Sequence, residues 1–200
     1  MRHPSRFLVA VSAAALLSLS ACGGSDGSTE ESSSAESSAP ATPVEETTDA
    51  PAASQSEIDV DETIKDDVLG NTIKITGLIR DFESPSHANI PEGGGEWVLV
   101  ELDVKAGEKF SGGVQGGFSL YTADGELAGS ATSILDDDMK AADLTPWQTA
   151  SSGEQTKGWQ AFQVNTRSDA YQVQYKRLAA SVIGGDPIPE KIFTVDLPAS

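Results

Sequence analysis

The chain has 200 residues, of which 38% are hydrophobic, enough for one domain with a sizeable core. Its formal charge of −18 at pH 7 repels nucleic acid and anionic lipid headgroups and favours cationic or basic partners. The single cysteine excludes an intramolecular disulfide and a cysteine-based zinc site. Packing alone therefore has to hold the fold together.

The N-terminus has the pattern of a secretory signal peptide, predicted over residues 1–21. Arg2 and Arg6 precede an apolar run, Phe7 to Leu19, that is too short for a stable transmembrane helix, which needs about 20 residues. Removal of this segment leaves 11 basic residues against 31 acidic ones, and the charge becomes −20. The protein is therefore predicted to act outside the cytoplasm.

The only cysteine closes this segment, in the sequence Leu19-Ser20-Ala21-Cys22. These four residues resemble the bacterial lipobox. The resemblance implies cleavage between Ala21 and Cys22 and acylation of Cys22. Two or three acyl chains would then hold the protein at the extracytoplasmic face of the cell membrane. The alternative is an ordinary signal peptide that happens to end next to a cysteine.

Residues 22–58 are predicted to be a disordered acidic tether. Ser, Ala, Thr, Pro, Glu and Asp dominate this span, and it contains no aromatic or basic residue, so it cannot bury enough apolar surface to fold. A flexible coil of this length spans roughly 35 Å, and prolines and like charges extend it further. The composition is also typical of O-glycosylated stalks, but a bare spacer is the favoured interpretation.

Residues 59–200 have the pattern of an all-β domain. Apolar and polar residues alternate in Ile73–Thr76 before Gly77 interrupts them, which predicts a half-buried strand with a bulge. A long strand is predicted over Trp97–Lys105. The residues of its predicted core face are Val98, Val100, Leu102 and Val104.

Further strand signals follow along the chain. Phe118–Tyr121 precedes an Asp-Gly pair, which is a hairpin signal. Gly158–Val164, Tyr171–Tyr175 and Lys191–Leu197 are also predicted strands. The region from Ser130 to Ser152 is the least regular and has room for a helical turn. Six or seven strands without a sustained helical period predict an immunoglobulin-like β-sandwich of about seven strands.

The succession Trp97–Val104, Phe118–Gly125 and Ser152–Val164 resembles the telokin-like, immunoglobulin-like domain of unknown function found in many Gram-positive and actinobacterial lipoproteins. The resemblance covers roughly Leu69 to Leu197 and rests on a strand, a hairpin turn and a strand. Lys105-Ala106-Gly107 stands where that family usually has an Asn-containing turn. The family implies no catalytic residues.

No residue pattern in the chain indicates catalysis, so we expect a protein that is not an enzyme and uses no cofactor. His87, the one histidine after the signal peptide, lies in a predicted loop without an obvious partner. No serine sits in a nucleophile elbow. The paired glycines lack the Gly-Lys-Ser/Thr that a phosphate-binding loop needs.

The densest acidic cluster consists of Asp136, Asp137 and Asp138. Hard cations such as Ca²⁺ are bound by several carboxylates lying close together, so these three residues are candidates for a divalent-metal site. Their spacing does not match an EF-hand loop, where ligands alternate and a glycine makes the turn. A solvated acidic loop is therefore the favoured interpretation.

Two tryptophans, Trp97 and Trp159, lie out of phase with the core-facing residues of their strands. If they are exposed side by side, they form an aromatic patch for a protein or glycan partner. The favoured alternative is that each covers an edge of the sandwich or the region from Ser130 to Ser152.

Together these features predict an extracytoplasmic lipoprotein that is anchored to the membrane through Cys22 and whose domain binds or scaffolds an envelope protein or glycan, with no nucleic-acid partner. An envelope solute-binding or divalent-metal-binding accessory subunit is the alternative, and a hydrolase is the least favoured class. An enclosed pocket with convergent polar groups favours the accessory subunit, whereas a flat apolar patch favours protein interaction.

Overall fold

A computed structural model describes residues 55–114, 117–181 and 185–199. The predicted signal peptide at 1–21, Cys22 and the tether up to residue 54 lie outside the described residues. The strands of the described part are β1 Glu57–Asp66, β2 Asn71–Ile79, β3 Glu96–Lys105, β4 Phe118–Thr122, β5 Leu127–Thr132, β6 Gln155–Val164, β7 Tyr171–Arg177 and β8 Lys191–Asp196.

Short helices complete the described elements. A 3₁₀ turn at Pro85–His87 and helix α1 at Asn89–Glu92 lie between β2 and β3, and helix α2 at Asp136–Ala141 follows β5. Helix α2 is the helical turn predicted for the irregular region. Within the described ranges, no helix combines the length and the apolar character that crossing a bilayer requires.

The all-β class is confirmed, but the expected seven-stranded sandwich is not. Eight described strands form one antiparallel sheet in the order β1-β2-β3-β6-β5-β4-β7-β8. The two outer strands, β1 and β8, lie close to each other, so the sheet is nearly closed and barrel-like. Strand β5 links the two halves of the sheet, because its first residues pair with β4 while Ala131 and Thr132 pair with β6.

Strand β1 begins at Glu57, so the last two residues that the sequence assigned to the tether belong to the sheet. The alternation of Ile58, Val60 and Ile64 is interrupted by a bulge between Asp59 and Glu62, which hides its period of two. The bulge predicted at Gly77 is confirmed by the register shift between β2 and β3.

The sheet encloses one apolar core, which we call the inner core. The predicted core face of β3 lies in it, together with inward residues of β2, β6, β7 and β8. Strand β3 is buried on its other face as well, because the chain after β2 and the chain around α2 cover that face. The residues of this second, outer cluster are Ile79, Phe82, Trp97, Leu99, Leu135, Met139, Trp159 and Ala161.

Each end of the sheet is occupied by a buried ion pair. Glu96 and Arg80 form one pair, where β2 ends and β3 begins. Asp66 and Arg177 form the other pair, at the last residues of β1 and β7. We call the end with Asp66 and Arg177 the cleft end, because a cleft opens beside that pair, and the end with Arg80 and Glu96 the far end. Buried charges are stable when they are paired and hydrogen-bonded. Both pairs are hydrogen-bonded, although Asp66 Oδ2 has no partner in the described part of the chain.

Candidate functional site

The two tryptophans proposed as a contact patch are buried in the outer cluster. Trp97 packs edge-on against the His87 ring, with 5.8 Å between ring centroids, and its indole Nε1 donates to the His87 carbonyl over 3.2 Å. Trp159 lies beneath the chain around α2, and its backbone bonds to Thr145 and Trp147. They therefore form no exposed patch, and their positions match the alternative that they pack under the region from Ser130 to Ser152.

The three aspartates proposed for a metal form the first turn of α2, and Asp137 and Asp138 bond to different partners. Asp138 accepts hydrogen bonds from the Ser84 hydroxyl and, over 2.9 Å, from the Ser86 hydroxyl. Asp137 is 97% exposed at its side chain and pairs with Lys140 over 3.0 Å. In the described parts of the chain, no three Asp, Glu, His or Cys side chains form a group able to hold a metal ion.

His87 is not the solvated loop residue that the sequence predicts. Its Nδ1 lies 3.2 Å from the Ser84 hydroxyl and 3.6 Å from an Asp138 carboxylate oxygen. The Ser84 hydroxyl donates mainly to Asp138, and this bond, followed by those from Ser86 and His87, lowers the pKa of Asp138 below its ordinary value. The hydroxyl is buried and directed at a carboxylate, so the cluster joins the 3₁₀ turn to α2 and presents no nucleophile.

The far end is filled by a hydrogen-bonded network around Glu96. The carboxylate accepts two bonds from Arg80, over 2.9 and 2.5 Å, and one from the Tyr171 hydroxyl over 2.7 Å. Burial, and then the bond to Glu96, raises the pKa of Tyr171 to about 12. The Arg80 guanidinium lies 4.8 Å above the Tyr171 ring centroid. These groups satisfy one another, so this end is a closed structural plug.

The cleft end is built differently, because its ion pair supports an open cavity. Arg177 donates to Asp66 over 2.5 Å and holds the Pro189 carbonyl with Nε and Nη2, over 3.2 and 3.0 Å. Asp66 in turn accepts from the backbone amides of Val68 and Leu69. One buried pair thereby fixes both the β1–β2 turn and the chain leading into β8.

Beside this pair lies a half-open cleft with a volume of about 550 Å³. This is within the range of ligand-binding pockets, roughly 300 to 1,000 Å³. The described lining residues are Leu69, Phe110, Gly113, Gly117, Phe118, Ser119, Ser130, Ala131, Tyr175, Lys176, Arg177, Leu178, Ala179, Ala180 and Ile188.

Aromatic side chains lie side by side along the wall of this cleft. The Phe118 and Tyr175 rings are 5.3 Å apart, and both line the cavity. Trp147 packs edge-on against Phe118 at 5.5 Å, and Phe193 stacks on Tyr175 at 6.0 Å. Burial, and then the nearby Asp66 carboxylate, raises the pKa of the Tyr175 hydroxyl. The aromatic part of the wall is therefore uncharged at neutral pH.

The charges around the cleft differ from those of the rest of the chain. Among its described lining residues, Lys176 and Arg177 are basic and none is acidic. The turns and strand ends at the cleft end carry balanced charges, namely Lys65, Lys105, Lys109, Lys176, Arg177 and Lys191 against Asp66, Asp67, Glu108, Glu154, Asp186 and Glu190. The far end has a net charge of −7, from Arg80 and Arg167 against Glu57, Asp81, Glu83, Glu92, Glu96, Asp124, Glu126, Asp169 and Asp196.

Exposed apolar side chains also concentrate at the cleft end. Leu178 lines the mouth and is 62% exposed. Val68 precedes the lining residue Leu69, and Ile192 pairs across the sheet with the lining residue Lys176. An apolar rim around an apolar cavity is typical of a binding surface.

Sequence reasoning did not identify the cleft, although one signal was present. The inward period of β7 runs Tyr171, Val173, Tyr175 and continues to Arg177, which places a charged side chain in a core position. Such a residue indicates a buried ion pair or a site.

The chain matches no protein-family model, no curated protein and no solved structure.

Proposed function

We propose that this chain is a membrane-anchored extracytoplasmic lipoprotein whose all-β domain is a non-catalytic binding module. The observation that supports binding most strongly is the cleft, a concave apolar cavity with exposed Leu178 at its mouth and a buried ion pair beside it. The described residues that line it include no histidine, cysteine or carboxylate that could act as a general base or nucleophile.

The lipid anchor at Cys22 is also proposed, because Cys22 lies outside the described residues. Its support is the charged and then apolar N-terminus, the lipobox-like Leu19-Ser20-Ala21-Cys22 and the acidic composition of the tether. A tether of this length lets the domain move some tens of ångströms from the membrane surface. The binding partner is therefore proposed to be an envelope component.

We also propose that the domain is related to the telokin-like, immunoglobulin-like family that its sequence resembles. The segments that carried the resemblance coincide with β3, with β4 and the turn at Gly125, and with β6. The single nearly closed sheet of eight strands is a departure from a two-layer sandwich of seven.

The alternative function is an envelope solute-binding or divalent-metal-binding accessory subunit. A cavity of about 550 Å³ favours a small ligand over a flat protein contact, so the solute-binding form has support. The metal-binding form has less, because Asp137 and Asp138 bond to different partners. An unchanged melting temperature in millimolar Ca²⁺ would argue against it.

Metabolic labelling with an alkyne analogue of palmitate tests the anchored form of the proposal. The wild-type chain should incorporate the label and sediment with membranes, and Cys22→Ala should lose the label and be released or remain uncleaved. Protease added to intact spheroplasts should digest the anchored domain. Equal labelling of the two chains, or protection from the protease, contradicts the proposal.

A further inference from the structure

The cleft has few polar groups with which to recognise a polar ligand. Of its fifteen described lining residues, Ser119 and Ser130 are the only ones with a hydroxyl apart from Tyr175. Sugars and polar metabolites need several directed hydrogen bonds, because each buried polar group left without a partner destabilises the complex. An aliphatic chain needs only apolar contact, which Phe118, Tyr175 and Leu178 supply.

The charged groups at the cleft determine which end of a ligand stays in water. Three of the five Arg177 N–H donors bond to Asp66 and the Pro189 carbonyl, and the side chain is only 4% exposed, so its guanidinium belongs to the floor of the cleft. The Lys176 ammonium is at the surface, where it pairs with Glu190 over 2.9 Å. An exposed pair of this kind contributes at most about 1 kcal/mol, so an anionic head group can exchange with Glu190 at little loss.

We infer that the cleft binds an amphiphile made of one aliphatic chain and an anionic head group, either a free fatty acid or one chain of a membrane lipid. The chain lies against Phe118 and Tyr175, and the head group lies at the mouth beside Lys176. The acidity of the whole chain disfavours anions in general, and the cleft end is the exception because its charges balance. This inference rests on the proposed binding function and names its ligand class.

Binding of dansyl-undecanoate, measured by the rise in its fluorescence, tests the position of the site. The chain from residue 22 with Cys22→Ala is suitable, since it retains every described residue and carries no lipid of its own. Leu178→Asp places a charge at the mouth and should weaken binding at least ~10-fold. Leu127→Asp is the matched control, because Leu127 is 58% exposed and does not line the cleft, and it should leave binding within about twofold of the parent chain.

A second variant distinguishes a blocked cleft from a loss of folding. Ser130→Trp adds an aromatic side chain at an exposed strand position that lines the cleft, and strands tolerate aromatic residues well. It should abolish the fluorescence rise while circular dichroism stays that of the parent. Thr194→Trp, on an exposed position of β8 outside the cleft, should do neither.

Competition among ligands of equal chain length tests the head group. Dodecanoate should displace the probe better than dodecanol, and dodecylamine should be the poorest competitor. Lys176→Gln should reduce the preference for dodecanoate over dodecanol by ~3-fold or more. Lys157→Gln removes an exposed ammonium that pairs with Glu101 away from the cleft, and it should not change the preference. Displacement by lysophosphatidylglycerol as well as dodecanoate identifies a lipid source, and displacement by dodecanoate alone identifies a free fatty acid.

The inference is overturned if the chain does not bind the probe, if Leu178→Asp and Leu127→Asp weaken binding equally, or if dodecylamine competes as well as dodecanoate. These outcomes leave palmitate labelling at Cys22 unaffected. Conversely, failed labelling with intact probe binding would contradict the anchor and keep the ligand class.

Discussion

At the level of single residues, the Asp138 carboxylate joins helix α2 to the segment around the 3₁₀ turn. Its side chain is 16% exposed and accepts bonds from Ser84 and Ser86, whereas that of Asp137 is 97% exposed. Asp138→Ala leaves the buried Ser84 hydroxyl without its acceptor and should lower the free energy of unfolding by about 1–3 kcal/mol. Urea denaturation checks this, with Asp137→Ala as the control that should change stability little.

The Asp138 carboxylate should make the stability of the fold decrease at acid pH. The folded-state pKa of Asp138 is lowered from 3.8, so its stabilising contribution is present above pH 3.8 and is lost as the pH falls below that value through the lower folded pKa. The stability difference between the parent and Asp138→Ala should therefore shrink below pH 3.8. A difference that stays constant down to pH 2 would contradict this account.

Tyr171 gives the opposite dependence at alkaline pH. Its pKa rises from 10.0 to about 12 on folding, so its contribution is complete below pH 10 and is lost as the pH rises towards about 12. Tyr171→Phe should lower the free energy of unfolding at pH 7 by about 1–3 kcal/mol, because it removes the bond to Glu96. Urea denaturation at pH 7 and pH 11 should show a shallower alkaline decline for Tyr171→Phe than for the parent or Tyr121→Phe.

At the element scale, the bulge in β2 makes room for the outer cluster. A Cβ added to Gly77 would lie 2.9 Å from both the Trp159 ring and the Glu57 carboxylate, closer than real contacts allow. Gly77→Ala should therefore destabilise the fold by about 1–3 kcal/mol. In a Trp159→Phe background the same change should be less harmful, because the smaller ring leaves space. Equal losses in the two backgrounds, measured by urea denaturation, would exclude the contact as the cause.

Elements with strong period-two patterns could be predicted from the sequence, and the weakly patterned ones could not. Strands β3, β7 and β8 show a clear inward set of large apolar residues. Strand β5 reads Leu-Ala-Gly-Ser-Ala-Thr and offers almost no large side chain, because β6 approaches it closely. At Gly129 a Cβ would lie 2.4 Å from the Gln163 carbonyl oxygen. Such a demand for small residues comes from tertiary packing, which local patterns do not carry.

The candidate site was less predictable than the fold for the same reason. Its wall joins residues from distant parts of the chain, such as Leu69, Phe110, Phe118 and Ile188, and each of them alone is an ordinary core or loop residue. The tryptophans and the aspartates are conspicuous in the sequence as possible contact and metal-binding residues. Their surroundings, however, depend on how the segments after β2 and β5 fold over the sheet. The cleft forms only where its distant lining segments meet in the folded domain, so the local sequence does not reveal it.

At the scale of the whole domain, the two ends of the sheet have different roles. The far end is closed by the Glu96 network and carries a net charge of −7. The cleft end has balanced charges, an apolar rim and an open cavity. Strand β1 begins at the acidic far end, where Glu57 pairs with Ile79, so the neutral end with the cleft lies opposite the point at which the chain enters the sheet.

We propose that the domain binds its ligand at the cleft end while it is anchored to the membrane. This can be tested with a photoreactive diazirine amino acid that replaces Leu178 in the full chain and is activated by light in intact cells. We expect an adduct with the mass of an acyl lipid or fatty acid on that chain and none when Leu127 is replaced instead. The same adduct at both positions, or no adduct at position 178, would contradict it.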